Sequence, residues 1–432
     1  MTKTFLYFTL FLLSLAGKAQ DTLRLPDAVN IALKNSLDIQ LASNDVEAST
    51  ILNNIGVAGG LPLITAGLTN NESVSNINQK LNTGVNIDRN GAAVNNLNSN
   101  VALSMLLYNG NRVVATKGRL AQLQKQSLQL LNSQVQNVIG AVMTAYYDIV
   151  RQQGYLKTIA ISIDASNQQL QIVQARQSAG LANNADLFQA QIDLNALKQA
   201  QLSQQLIIDQ AKTELLRLLT LKPDSLIYIR DTILVDKTVN LDGVLNSLYQ
   251  NPDILASEDQ VRINELLVKE TAALRYPTVR GNTGFNLNRN QASGGQLLLN
   301  QNYGPTVGLT FGIPIYNGSV FRRQQKVAEI DVRNAKLSRQ VLLRDYSSQV
   351  VKAFQSYAST LKQLETEQQN YNLSAQLLDL VLKRFQFKVA TIIDVKLAQQ
   401  SFEESGFRLV NLNFAAKAAE IELKRLGNQL KL

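Results

Sequence analysis

The sequence predicts a mainly α-helical chain that carries a membrane β-barrel segment. Its unit is a duplicated helix–β-hairpin–long helix–helix repeat, and a trimer of such chains would form a 12-stranded barrel continued by an α-helical coiled-coil barrel. Three observations predict this architecture. The chain repeats itself in fixed register, a segment of each repeat alternates with the period of a strand, and a heptad seam then lies within a proline-free helix of about 66 residues.

The repeat is seen first. At an offset of 215, Asp27, Val29, Leu33, Asp38, Ile39 and Pro62 match Asp242, Val244, Leu248, Asp253, Ile254 and Pro277. At an offset of 208, Tyr108-Asn109-Gly110 matches Tyr316-Asn317-Gly318. The same 208 carries Ala145 to Ala353, Arg176 to Arg384, Asp186 to Asp394, Ala190-Gln191 to Ala398-Gln399, and Arg217-Leu218 to Arg425-Leu426. The change of offset falls between Pro62 and Tyr108, in the kind of exposed connection that tolerates insertions. Repeat one spans about 23–220, a connecting segment about 221–238, and repeat two about 239–428.

Residues 1–20 read as a secretory signal, with Lys3 in the charged region, an apolar run from Phe5 to Ala16, and small residues near Ala19. That run is too short to span a membrane. With no cysteine after it, no N-terminal lipid anchor is expected. Beyond it no apolar stretch reaches the length of a spanning helix, so entry into a membrane would have to be as a β-barrel.

Each repeat opens with a helix, about 27–58 and 242–274, and a proline then marks entry into a strand pair, about 62–108 and 277–316. Val101, Leu103, Met105 and Leu107 point one way while Ala102 and Ser104 point the other. In the second copy Val307, Leu309, Phe311, Ile313 and Ile315 alternate with Thr306, Gly308, Thr310, Gly312 and Pro314. The partner strands lie near Ile64–Leu68 and Val279–Leu287. Between the strands, the Asn-, Gly- and Ser-rich stretches 69–98 and 286–302 read as long polar loops. An ordinary β-sandwich strand would alternate in the same way.

Long helices follow, about 112–178 and 320–387, then a last helix in each copy, about 184–219 and 391–427. Leu128, Leu131, Val135, Val138, Val142, Ala145 and Ile149 form a 3-4 seam that Leu156, Ile159, Ile163, Leu170 and Val173 continue. Leu343, Tyr346, Val350, Ala353 and Tyr357 repeat it in copy two. At 1.5 Å per residue such a helix is about 100 Å long.

A spanning sheet must close without edges, and four strands are too few to close alone. Two chains would give eight strands and a filled interior; three would give twelve and room for a lumen. The small, polar inward set (Ser104, Thr306, Gly308, Thr310, Gly312) favours three.

The exported leader, the duplicated element order, the Tyr-Asn-Gly strand exits, and Ala179-Gly180-Leu181 followed by Asp186 and Gln189-Ala190-Gln191 resemble the TolC family of outer-membrane efflux and secretion channels across the mature chain. The resemblance implies a homotrimer with its barrel in outer-membrane lipid and its helical barrel in the periplasm. It implies partners: a periplasmic adaptor (membrane fusion) protein and an inner-membrane pump of RND, ABC or similar type. It also assigns roles at the helix tips. Ala179, Gly180 and Leu181 in copy one and Val389 and Ala390 in copy two would contact the adaptor, and Asp186 and Asp394 would line the aperture. Copy two departs from the pattern, with Phe387-Lys388 where copy one has Ala179-Gly180, and with Leu397 where some relatives place a second aspartate.

Each tip residue has a plainer reading. Asn183-x-x-Asp186 and Thr391-x-x-Asp394 suit helix caps. Arg176 and Arg384 suit exposed or intra-hairpin ion pairs, with a gating pair between subunits as the sharper alternative.

Composition narrows the chemistry. The chain has no histidine, cysteine or tryptophan, which removes imidazole bases, thiol nucleophiles and His- or Cys-ligated metals. No cofactor is expected, and no enzyme. Without the two leader lysines the chain has 40 basic and 33 acidic residues, net +7, spread along it. That spread suits a solvated helical surface and argues against nucleic acid. A coiled-coil surface stalk or adhesin anchored in the outer membrane and an exported carboxylate hydrolase are the competing classes. A stalk would carry its membrane segment at one end, and a hydrolase would need paired acids at a cleft.

Overall fold

The structure, a computed structural model, describes residues 22–430; the expected leader lies outside them. The elements follow in order: α1 (Leu25–Asn35), α2 (Leu37–Leu52), β1 (Leu63–Lys80), β2 (Asn86–Tyr108), α3 (Arg112–Ser178), α4 (Asn184–Leu218), α5 (Leu241–Ser247), α6 (Pro252–Ala272), β3 (Thr278–Ala292), β4 (Leu299–Gly312), α7 (Val320–Gln386) and α8 (Ile392–Leu426). Short 3₁₀ turns, Leu248–Gln250 and Ala273–Arg275, precede and follow α6. No helix among the described residues is long and apolar enough to cross a membrane.

The chain divides into two compact units, each drawing segments from both repeats. Of the described residues, the first comprises 22–43, 129–255 and 341–430. It holds two cores built alike. In one, Val29 of α1 packs with Val142 and Ile149 of α3 and Leu215 of α4. In the other, Val244 of α5 packs with Val350 and Tyr357 of α7 and Leu423 of α8. These residues match pairwise at the two offsets, so the duplication reaches the packing itself. Burying each such side chain contributes about 1.5–3 kcal/mol.

Between these cores sits a buried charge cluster. Glu420 of α8, 2% exposed, accepts from Lys417 Nζ at 3.0 Å, Lys424 Nζ at 2.8 Å and the backbone N–H of Asp236 at 2.9 Å. Lys417 lies 5.3 Å from the centroid of the Tyr147 ring. Asp236 is held well below the usual carboxylate range by hydrogen bonds from Thr238 and then Lys424. The Tyr146 hydroxyl donates to the Leu23 carbonyl at 3.0 Å and to the Asp231 carboxylate. Burial first, and that carboxylate second, push its phenol far up.

The second unit comprises residues 44–128 and 256–340 and holds the sheet. The four strands form an antiparallel meander in the order β1-β2-β3-β4. Among the described residues β1 and β4 each have one neighbour, so both outer edges carry unpaired backbone groups.

Three expectations change. The helices 27–58 and 242–274 are each interrupted, at Ser36 and at Asn251, which correspond at the offset of 215. Pro252 cannot continue a helix and starts a new one, capped by the Asn251 side chain, which accepts from Asp253 N at 2.9 Å. Ser36 stands at the same point and accepts from Ile39 N at 3.4 Å. The stretches 69–98 and 286–302 are mostly strand, with only short connections at 81–85 and 293–298. Their amide side chains hide the alternation, but backbone pairing continues, aided by bonds such as Asn95 Nδ2 to Asn70 Oδ1 at 2.9 Å. Finally, β4 ends at Gly312, so Ile313 and Ile315 flank Pro314 beyond the ladder. Proline brings no N–H to extend it.

Candidate functional site: a two-faced sheet and two capped helical tips

Cross-strand register sorts the sheet into two faces. Ile64, Ala66, Val101, Leu103, Met105, Gly281, Thr283, Phe285, Val307 and Leu309 share one face, with Val279 and Phe311 continuing it past an irregularity near Leu107. Val307, Leu309 and Phe311 are 87%, 76% and 66% exposed, far more than a soluble core would leave open. The other face carries Asn100, Ala102, Ser104, Asn282, Gly284, Asn286, Thr306, Gly308 and Thr310. It is tied by Ser104 Oγ to Asn282 Oδ1 at 2.9 Å and Asn282 Nδ2 to Thr310 Oγ1 at 2.8 Å. Gly284 lies here because strand β2 comes close: a Cβ on it would meet the Val101 carbonyl oxygen at 2.5 Å.

Along β2 the apolar face runs from Ser99, beside Leu68 and Leu287, to Tyr108 beside Val279. Nine steps of about 3.3 Å make about 30 Å of strand, or ~23 Å of height at a ~40° tilt, the height of a barrel's lipid band. Tyr303 and Tyr108 mark its two ends, whereas Tyr316 lies past the sheet.

Strand leads to helix through consecutive left-handed residues in both repeats, Gly110-Asn111 (φ 68 and 63) and Gly318-Ser319 (φ 66 and 64). Turn geometry explains these glycines.

In the other unit, the helical tips repeat one backbone motif. At the end of α3, Leu181 N donates to Arg176 O at 2.7 Å and Gly180 N to Gln177 O at 2.9 Å, with Gly180 at φ 72. At the end of α7, Val389 N donates to Arg384 O at 2.9 Å and Lys388 N to Phe385 O at 3.1 Å, with Lys388 at φ 64. Both are Schellman caps, so Lys388 takes the left-handed place of the glycine it replaces. Thr220 and Asn428 close α4 and α8 in the same way. A side chain in that conformation costs about 1–2 kcal/mol. Lys388→Gly is therefore expected to tighten the second tip by about 1 kcal/mol, read as slower amide exchange at Val389 and Phe387. Unchanged or faster exchange would refute this.

The next helices start with unequal caps. Asn183 Oδ1 accepts from Asp186 N at 2.8 Å, and the Asp186 carboxylate has no partner among the described residues. Thr391 and Asp394 form a full capping box: Thr391 Oγ1 accepts from Asp394 N at 3.2 Å, and Asp394 Oδ2 accepts from Thr391 N at 2.7 Å. The backbone and side-chain hydrogen bonds from Thr391 hold Asp394 below its ordinary 3.8, with Arg384 adding to the effect. Because its folded pKa is depressed, the contribution is complete above about pH 4 and is lost as pH falls through the folded value. Exchange protection at this tip is accordingly expected to stay level from pH 7 to 5 and drop below pH 4. A drop near pH 6 would contradict the assignment.

Arg176 does not pair with Asp186. Its guanidinium lies 4.3 Å from the Phe385 ring centroid and donates to the Phe385 carbonyl, joining tip one to tip two. Arg384 donates to the Val389 carbonyl of its own tip, at 3.5 Å. Phe385, Val395, Ala190 and Val173 form the buried core of the paired hairpins, and Lys396 bridges to Asp193 at 2.9 Å. Phe385 and Lys396 were missed by sequence reasoning; the 208 offset could have flagged Lys396, which replaces Phe188. Around this core Leu181, Phe188, Ile192, Phe387, Val389, Ile393 and Leu397 are exposed, while Ala179 and Gly180 lie at the turn.

An open sheet with one apolar and one polar face, feeding helices of 67 residues, is the build of an outer-membrane channel protomer. The chain belongs to the outer membrane efflux protein family, whose family model matches residues 28–220 and 245–429. It lies in the outer membrane with its helical part in the periplasm. Toxin and drug export protein A of Aggregatibacter actinomycetemcomitans is 23% identical over 398 residues, covering 91% of this chain and 83% of that one. Two solved structures share the fold. CusC matches with a TM-score of 0.77 at 16% identity, over 94% of this chain and 92% of that chain. VceC of Vibrio cholerae matches with a TM-score of 0.75 at 18% identity, over 93% and 96%.

Proposed function

We propose that this chain is the passive exit duct of a tripartite efflux or type I secretion machine. Three copies close a 12-stranded barrel, and the helical tips dock a periplasmic adaptor and, through it, an inner-membrane pump. The observation that carries this reading is the unclosed sheet. In a four-strand meander β1 and β4 run antiparallel, so β4 of one copy can pair with β1 of the next and close an all-antiparallel ring. Val101, Leu103, Met105, Leu107, Val307, Leu309 and Phe311 then face lipid, with Ile313 and Ile315 just below the ladder. The hydroxyl- and amide-bearing face becomes the lumen.

At the tips, Ala179, Gly180, Leu181, Val389 and Ala390 receive the adaptor, with Asp186, Asp394, Arg176, Arg384 and Lys388 around the aperture. The exposed apolar residues at these turns suit a protein contact. The export role in the name of the Aggregatibacter relative supports the direction of transport. Chemistry is left to the pump: the duct has no histidine or cysteine. The test is planar-bilayer recording of the purified protein. Discrete, water-filled conductance steps are expected, and a preparation that is folded yet electrically silent would overturn the reading.

A further inference from the structure

A cavity of about 950 Å³ lies in the sheet-bearing unit where strands give way to helices. The strand residues that line it, Leu63, Ser104, Leu106, Thr278 and Arg280, all belong to the polar face by register, the face opposite the apolar band. Three guanidinium groups border it, those of Arg112, Arg119 and Arg280, against one carboxylate, Glu270. Arg119 donates to Glu270 at 2.8 Å and so neutralises it. The side chains of Arg112 and Arg280 have no hydrogen-bond or ion-pair partner among the described residues. Both are exposed into a hollow whose other walls include Leu61, Leu106, Tyr276 and Phe321.

The fold does not require these charges. At the repeat offsets Arg112 and Arg119 correspond to Val320 and Val327, and Arg280 and Glu270 to Thr65 and Ile55. None of the four equivalent positions carries a charge, although the matching strand exit there makes the same turn, with Gly318-Ser319. Free arginines beside apolar and aromatic walls suit one class of ligand. A guanidinium fork binds a planar or tetrahedral anionic group bidentately, and the apolar wall takes an attached hydrocarbon or ring. A space of this volume admits a drug-sized body.

We propose that this cavity is a binding station for an amphipathic organic anion, a carboxylate or sulfonate on an apolar body, passing through the duct. Arg112 and Arg280 grip the anionic group. The proposal rests on the duct reading, because that reading makes the polar face the lumen.

Naphthalene-2-sulfonate is the probe and naphthylmethylammonium its oppositely charged counterpart. Each is titrated calorimetrically into the detergent-purified full chain and applied as a blocker in bilayer recordings. The sulfonate is expected to bind and block and the ammonium to do neither, with weaker binding at high salt. Arg112→Gln and Arg280→Gln should each raise the sulfonate's Kd and half-blocking concentration at least tenfold. Arg333→Gln, an unpaired arginine of α7 outside the cavity, should change neither. Equal binding of the two probes, no binding at all, or wild-type affinity in the double Arg112→Gln/Arg280→Gln variant would overturn the site. Conductance without sulfonate block sinks this proposal and leaves the duct standing. Arginine-dependent binding in a protein that never conducts sinks the duct and leaves the site.

Discussion

Replacing Glu420 by leucine is expected to destabilise the protein by about 3–5 kcal/mol, the usual effect of leaving a buried ion without its partner. Glu420 is the acceptor at which two lysines and the Asp236 backbone N–H converge. Lys424 keeps Asp236 as a second partner at 2.9 Å, so its loss is partial. Lys417, 8% exposed, keeps only the Tyr147 ring. The thermal transition of the detergent-solubilised protein should fall by several degrees. A double variant, Lys417→Met with Glu420→Leu, should recover most of the loss, because an apolar pair of similar volume carries no desolvation penalty. If the double variant is as unstable as the single one, the ion cluster is not the source.

The second large effect concerns the sheet. Val307 and Thr306 are neighbours in sequence, at the same depth of the band, on opposite faces. Val307→Arg is expected to cost about 2–4 kcal/mol of membrane stability, since on the proposed assignment it puts a charge at the middle of the band that faces lipid. Thr306→Arg, pointing to the polar side where the charge stays hydrated, should cost less than about 1 kcal/mol. Urea titration of barrel folding into lipid vesicles measures both. Equal losses, or the larger loss at Thr306, would reverse the assignment of faces.

Much of this was legible in the chain, for physical reasons that can be named. The ends of α3 and α7 follow from the register: a proline-free heptad starts after a Tyr-Asn-Gly turn and stops before a residue that can cap the next helix. The lower strands were legible because one face is apolar and side chains alternate with period two. Their upper halves were not, since the asparagines on both faces leave no pattern even though the backbone ladder continues.

The breaks at Ser36 and Asn251 had local signals, a serine and an Asn-Pro pair, that the stronger helical periodicity outweighed. Lys388 read as a departure in chemistry, yet its backbone matches Gly180, because the cap geometry is set by hydrogen bonds to Arg384 and Phe385. The partner of Arg176 could not be read at all. Phe385 lies in the other repeat, and only the packing of the two hairpins brings it within reach.

In the proposed duct the two free sheet edges are completed by identical chains. The most direct test is native mass spectrometry of the protein extracted gently from outer membranes, combined with cysteine pairs placed on β1 and β4 of a chain that has no cysteine of its own. The prediction is an assembly of three mature chains, with β1–β4 disulfides that form only between chains and close the ring. A stable monomer, or a β1–β4 disulfide formed within one chain, would contradict it.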